Sequence, residues 1–239
     1  MNVDRLASIE ACKPGTDWTK IQAMPDQAWS DCERGDWLMW LLGATCAGEP
    51  WSDHRKPLVR ILAECLAWIL PKFPRGELRP RRMREVLAEW VNGTAGESDV
   101  KRARSMLYEY HNVSEDAASS AAAWVSYAPS FSWNVGGGMC KAVEGIAEVL
   151  DTQDGRDEVY ARVARRVRAS FPRLPEVKLR RYEVVCGGCS YRVTETVGDH
   201  RRDGPSVARV AAFHRHDFSH GGKNSRASGV SIRMVEAEA

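Results

Sequence analysis

No stretch of this chain is apolar for the roughly 20 residues that a bilayer-spanning helix needs. The nearest approach, residues 58–70, is short and is interrupted by Arg60 and Glu64. The first twelve residues carry Asp4, Arg5 and Glu10 where a secretory leader would have an apolar core, so no leader is expected. Cysteine is sparse and odd in number: of seven, only Cys186 and Cys189 form a close pair, and the rest are scattered through helical patterns. That distribution excludes a disulfide framework and points to free thiols in a reducing compartment, hence a cytoplasmic location. Two catalytic motifs are missing as well. Gly136-Gly-Gly138 is followed by no Gly-Lys-Ser/Thr, so it is not a phosphate loop, and no Gly-x-Ser-x-Gly elbow occurs in a strand-turn-helix setting. What remains is ordinary for a soluble globular protein of 239 residues, with 44% hydrophobic and 28% charged side chains.

Charge is balanced overall, at +2, but not along the chain. Residues 1–154 hold 17 Lys and Arg against 22 Asp and Glu, and residues 155–239 hold 17 against 10, so the front carries −5 and the tail +7. A basic tail of this kind suits a nucleic acid or another acidic surface.

Helical periodicity dominates the front. Residues 26–32 form a short amphipathic stretch around Trp29, and Asp36 is placed to cap a helix opening on the run Trp37-Leu-Met-Trp-Leu-Leu42. Trp29, Trp37, Trp40 and Trp51 are expected to share one aromatic core. Residues 54–72 predict a long helix with Leu58, Ile61, Leu62, Cys65, Leu66 and Ile69 as its apolar stripe, ended by Pro71 and Pro74. A second helix, residues 79–91, sets Met83, Val86, Leu87 and Trp90 against a face of Arg79, Arg81, Arg82 and Arg84, and a third begins near Ser98 and passes through Tyr110. In residues 117–128 small side chains permit close helix approach, and Trp124, Tyr127 and Phe131 are expected to fill the gaps between helices. Pro129 and Gly136 to Gly138 read as a connector with a flexible joint before residues 139–150. Along residues 157–170, Val159, Val163 and Val167 can dock on the front domain, leaving Arg162, Arg165, Arg166 and Arg168 solvated or free to grip phosphate. Pro172 and Pro175 then mark a linker.

The sharpest chemistry lies near the C-terminus. Cys186-Gly-Gly-Cys189 is followed after 24 residues by His214 and after five more by His220, the ligand order of a two-cysteine, two-histidine zinc finger. His216, three residues before His220, satisfies the same spacing rule; His214 is favoured because it shares an apolar face with Val207, Val210 and Ala211. Residues 180–185 and 191–197 alternate apolar with polar and should pair as a hairpin around the cysteine turn, ahead of a helix over residues 205–218. Arg180, Arg181, Arg192, Arg201, Arg202 and Arg215 would then be available to phosphates. A thioredoxin-like redox role fits less well, since that motif opens a helix within a βαβ pattern and none surrounds it.

Two resemblances follow. Residues 178–236 resemble short treble or ββα zinc modules of phage and actinobacterial proteins. The block Ala28-Trp29 through Cys32-Glu-Arg-Gly-Asp-Trp-Leu-Met-Trp-Leu-Leu42, with the order of helices after it, is similar to a family of helical immunity proteins encoded by phages and polymorphic-toxin loci; it covers roughly residues 7–150. The family implies a non-enzymatic protein-binding role, here in a host-cell cytoplasm.

Candidate catalytic groups are isolated. His111 sits near Glu109 and Glu115 with no third partner placed by sequence. Cys140, after three glycines, would lie at a helix start, where the dipole lowers a thiol pKa. The expected architecture is mainly α: a helical immunity-protein-like domain over residues 1–154, a basic connecting helix and linker over 155–175, and a zinc-finger-like ββα module over 176–239. It implies zinc as cofactor, a protein partner, a possible nucleic-acid partner through the basic module, and no membrane. The oligomeric state is left open.

Overall fold

The computed structural model describes residues 25–114, 116–131, 135–173, 179–186, 192–198 and 230–237. The chain divides into two compact units, one of residues 22–175 and the other of residues 1–21 with 176–239. The described part is mainly helical, and no described helix is long and apolar enough to cross a membrane.

The larger unit runs α1 Pro25–Asp31, α2 Gly35–Thr45, α3 Lys56–Ile69, α4 Arg79–Val91, α5 Glu97–Ser114, α6 Ala117–Tyr127, α7 Val135–Asp154 and α8 Arg156–Ser170, with single 3₁₀ turns at Asp53–Arg55 and Leu70–Lys72. Each helix starts where its sequence allows. Pro57 and Pro80 sit in the first turns of α3 and α4, where a missing N–H leaves no bond unmade. Asp116 caps α6 by accepting the Ser119 N–H at 2.6 Å. The expected stripe of α3, the apolar face of α4 and the three valines of α8 are all buried. Docked valines put the arginines of α8 at the surface. The end of α8 is tied down twice: Arg168 Nη1 donates to the Cys32 carbonyl at 2.7 Å, and Trp29 Nε1 donates to that of Phe171 at 3.2 Å.

Helix α7 packs against α2, α3, α6 and α8 and supplies the centre of the core with Met139, Ala142, Val143, Ile146 and Ala147, all fully buried. Here the expectation of a flexible joint at Gly136 to Gly138 fails, because all three glycines are helical, within α7. Their small size serves packing. A Cβ on Gly136 would lie 2.5 Å from the Trp40 carbonyl oxygen, and one on Gly43 would lie 2.8 Å from Gly136 Cα, so α2 and α7 touch backbone to backbone. Gly35, at the start of α2, lets the same helix approach α8, where a Cβ would meet Val163 Cβ at 2.5 Å.

Three other expectations change. Asp36 is not the cap of α2; it lies in the first turn, 1% exposed, and its carboxylate is taken by Arg34. The described tryptophan contacts reach different partners: Trp29 reaches Phe171, Trp37 lies under the Arg34 guanidinium, and Trp51 meets Trp90 edge-on at 6.1 Å. Trp124 is not gap-filling but 41% exposed, because α6 turns its alanines and serines inward and this ring outward.

One buried charge holds two helix ends together. Arg55, 1% exposed, donates to the carbonyls of Ala47 and Gly48 after α2, at 3.3 and 3.0 Å, and to those of Ala128 and Pro129 after α6, at 3.2 and 3.3 Å. Helix C-termini leave carbonyls unpaired and carry partial negative charge, so a guanidinium answers both needs.

In the smaller unit, β1 Leu179–Cys186, β2 Arg192–Gly198 and β3 Val230–Ala237 form an antiparallel sheet in the order β2-β1-β3. Val184 pairs with Val193 on one side and with Ile232 on the other, and the β1–β3 register shifts between Arg181 and Tyr182. Strand β3 was not anticipated. The helix expected over residues 205–218 lies outside the described residues.

Candidate functional site

Among the expected zinc ligands, Cys186 is the last residue of β1, paired with Val230. Cys189, His214, His216 and His220 lie outside the described residues. Arg180, Arg181 and Arg192 belong to paired strands, opposite Val197, Thr196 and Val185 respectively. Arg201, Arg202 and Arg215 lie outside the described residues.

In the helical unit the two catalytic candidates take ordinary structural roles. His111 Nδ1 is 2.9 Å from Ser119 Oγ and its ring packs edge-on against Tyr108; Glu109 is exposed and Glu115 lies outside the described residues. Cys140 is the sixth residue of α7 rather than its first, so the dipole argument for a reactive thiolate does not apply. Burial, and then the neighbouring Glu144 and Asp36, push this thiol well above its ordinary value. Those three residues nevertheless converge: ligand atoms of Asp36, Cys140 and Glu144 lie within 4.8 Å of one another. The set has cations already. Arg34 grips both oxygens of Asp36 at 2.9 and 2.6 Å, Lys141 meets Glu144 at 2.6 Å, and Cys140 Sγ donates to Glu144 at 3.5 Å. Arg34 is itself packed between the Trp37 and Tyr160 rings, at 4.7 and 4.4 Å. The cluster is therefore a satisfied polar plug between α2, α7 and α8, and it escaped the sequence because the Gly43–Gly136 contact that creates it is long-range.

A different arrangement stands out at the surface. Along α5 and α6, His111, Tyr108, Tyr127, Phe131 and Trp124 form a continuous chain of rings, with successive centroids 5.8, 5.7, 6.2 and 6.4 Å apart. Arg104 lies over Tyr127 at 4.6 Å and donates to Ser130 Oγ at 2.7 Å. A hydrogen bond with Tyr127, followed by burial, raises the Tyr108 pKa, so the Tyr108 phenol stays neutral near pH 7. Tyr108 and Trp124 are 36% and 41% exposed. The face combines aromatic area with a stacked arginine. The alanine-rich stretch marked these rings in the sequence, but only the structure turns them outward.

A second surface feature is basic. An open groove of about 600 Å³ runs along α8, and its described lining, Glu158, Val159, Arg162, Arg165, Arg166 and Ala169, belongs to that helix. The Arg162 guanidinium stacks on Trp68 at 3.9 Å, Arg165 meets Glu158 at 2.7 Å, and Arg166 meets Glu64 at 3.5 Å.

Compared with models of known protein families, with curated proteins and with solved structures, the chain matches none of them.

Proposed function

We propose that this is a non-enzymatic, phage- or prophage-encoded binding protein, whose helical unit engages a protein partner in the host cytoplasm while zinc folds its basic C-terminal module. The observation that carries this reading is the exposed ring chain of α5 and α6, with Trp124 and Tyr108 at the surface and Arg104 stacked beside them. Tyr, Trp and Arg are the side chains that dominate binding energy at protein interfaces, and truncating one well-buried anchor costs about 2–4 kcal/mol, or roughly 30- to 1,000-fold in affinity. The resemblance to immunity proteins supports a toxin or a host defence factor as partner. Zinc at Cys186, Cys189, His220 and either His214 or His216 contributes folding free energy to the module and no reaction.

The test is affinity capture from the source cell with the full chain, comparing wild type, Tyr108→Ala with Trp124→Ala, and Arg81→Ala on the exposed face of α4. One protein retained by wild type and Arg81→Ala, and reduced at least about tenfold by the double substitution, is the expected result. Identical captured sets from all three would refute the role of this face.

The charge of +7 over residues 155–239 favours a second reading, in which Arg180, Arg181, Arg192, Arg201, Arg202 and Arg215 bind nucleic acid through the zinc module. Salt separates the two, because phosphate contacts weaken steeply as salt rises and an apolar protein interface does not.

A further inference from the structure

We propose that the groove along α8, beside Trp68 of α3, binds single-stranded nucleic acid, with a base stacking on Arg162 over Trp68 and with phosphates meeting Arg165 and Arg166. The residues named here lie on α3 and α8 of the helical unit, and none of them belongs to the chain of rings on α5 and α6.

The stack comes first. Trp68 is half-buried in α3, and the Arg162 guanidinium lies 3.9 Å from its ring centroid, which fixes the plane of an otherwise flexible side chain. A guanidinium held on one face presents its other face to an incoming base and its edge donors to an oxyanion, both recurrent elements of single-strand recognition. Charge follows. Arg162, Arg165 and Arg166 stand at i, i+3 and i+4 along α8, so they form one row about a helical turn long. Two carboxylates face them, Glu158 and Glu64, leaving one positive charge in excess. The Arg165–Glu158 side chains are 58% and 59% exposed and the Arg166–Glu64 side chains 55% and 41% exposed; ion pairs so open to water hold weakly and yield readily to a multivalent anion. Arg60 lies one turn before Glu64 on α3, also exposed, and extends the basic edge. Among the described residues the apolar lining is Val159 and Ala169, too little for the desolvated centre of a protein interface. A row of cations beside a stacking platform is the combination that tracks a strand with unpaired bases.

The test is fluorescence anisotropy of a labelled oligothymidine with the full-length protein across a salt series. Wild type should bind with a marked salt dependence. Replacing Arg162, Arg165 and Arg166 with Ala together should weaken binding at least about tenfold and lower the salt slope by about 1.4, two phosphate contacts at about 0.7 each. The conservative R162K keeps charge but loses the planar stack and should weaken binding by a few-fold. The opposite sign is expected from Glu64→Gln with Glu158→Gln, which removes the competing anions and should tighten binding about three- to tenfold. That double change is a gain that a misfolded variant could not produce. Arg81→Ala should change nothing. The proposal is overturned if wild type shows no salt-dependent binding, if the triple variant retains helical circular dichroism and wild-type affinity, or if the glutamine pair leaves affinity unchanged. Loss caused only by Arg180→Ala with Arg181→Ala would likewise overturn it and move the site to the module.

Discussion

Replacing Arg55 should unfold the helical unit more readily than its sequence position suggests. The guanidinium joins the carbonyls that end α2 to those that end α6 through bonds of 3.0–3.3 Å. Arg55→Met keeps the buried stem and deletes the donors. Two acceptors retain other partners: the Pro129 carbonyl accepts the Trp51 N–H at 2.8 Å, and the Ala47 carbonyl accepts Ser52 Oγ at 3.4 Å. The Gly48 and Ala128 carbonyls lose the partner described for them, and a buried acceptor left unsatisfied costs about 1–3 kcal/mol. Relief of the guanidinium's own desolvation offsets part of this. The net loss expected is about 2–4 kcal/mol, a large share of the 5–15 kcal/mol typical of a folded domain. Arg55→Lys should fall between, because one ammonium cannot span both helix ends. Urea unfolding followed by helical circular dichroism measures it, with the midpoint falling at constant slope. A loss below about 0.5 kcal/mol for Arg55→Met, or a gain, would show that the bridge is not what joins these helix ends.

Three further outcomes follow from the same structure. Gly136→Ala should cost about 1–2 kcal/mol in the same urea assay despite alanine's higher helix propensity, because its Cβ would meet the Trp40 carbonyl oxygen at 2.5 Å and force α2 from α7; a stabilised variant would contradict the backbone contact. Burial pushes the Cys32 thiol from 9.0 up to about 11. Its contribution to stability is fully present below the unfolded value near 9 and is lost as pH rises towards the folded value, by about 1.4 kcal/mol per pH unit, so Cys32→Ala should flatten the stability profile in that window. Elemental mass spectrometry of protein purified without added zinc should find about one zinc per chain, lost in Cys186→Ala with Cys189→Ala; well-folded wild type free of metal would refute the zinc module.

Much of the helical unit was legible because its apolar stripes are long and local. Leu58 through Ile69 of α3, Met83 through Trp90 of α4 and the valines of α8 all occupy the buried faces their 3.6-residue spacing assigns. What misled were residues whose roles depend on distant chain. Three consecutive glycines resemble a joint until α2 is known to lie against them, and Arg55 resembles any surface cation until two helix ends converge on it. Asp36 has the chemistry of a cap, yet Arg34, two residues away, claims both its oxygens. Trp124 was assigned to the core on hydrophobicity alone, whereas the small residues of α6 had already taken the inward face. The reactive-thiol expectation for Cys140 failed with the glycines, since it required a helix start that the structure moves five residues upstream.

The most direct test of the proposed role is site-specific photo-crosslinking in the source cell, with a photoreactive phenylalanine at position 124 on the aromatic face or at position 81 on α4. The account predicts that one protein crosslinks from position 124 and not from position 81, and that Tyr108→Ala diminishes the adduct. Equal adducts from both positions, or none from position 124 in a folded and abundant protein, would contradict a partner docked on the α5–α6 rings.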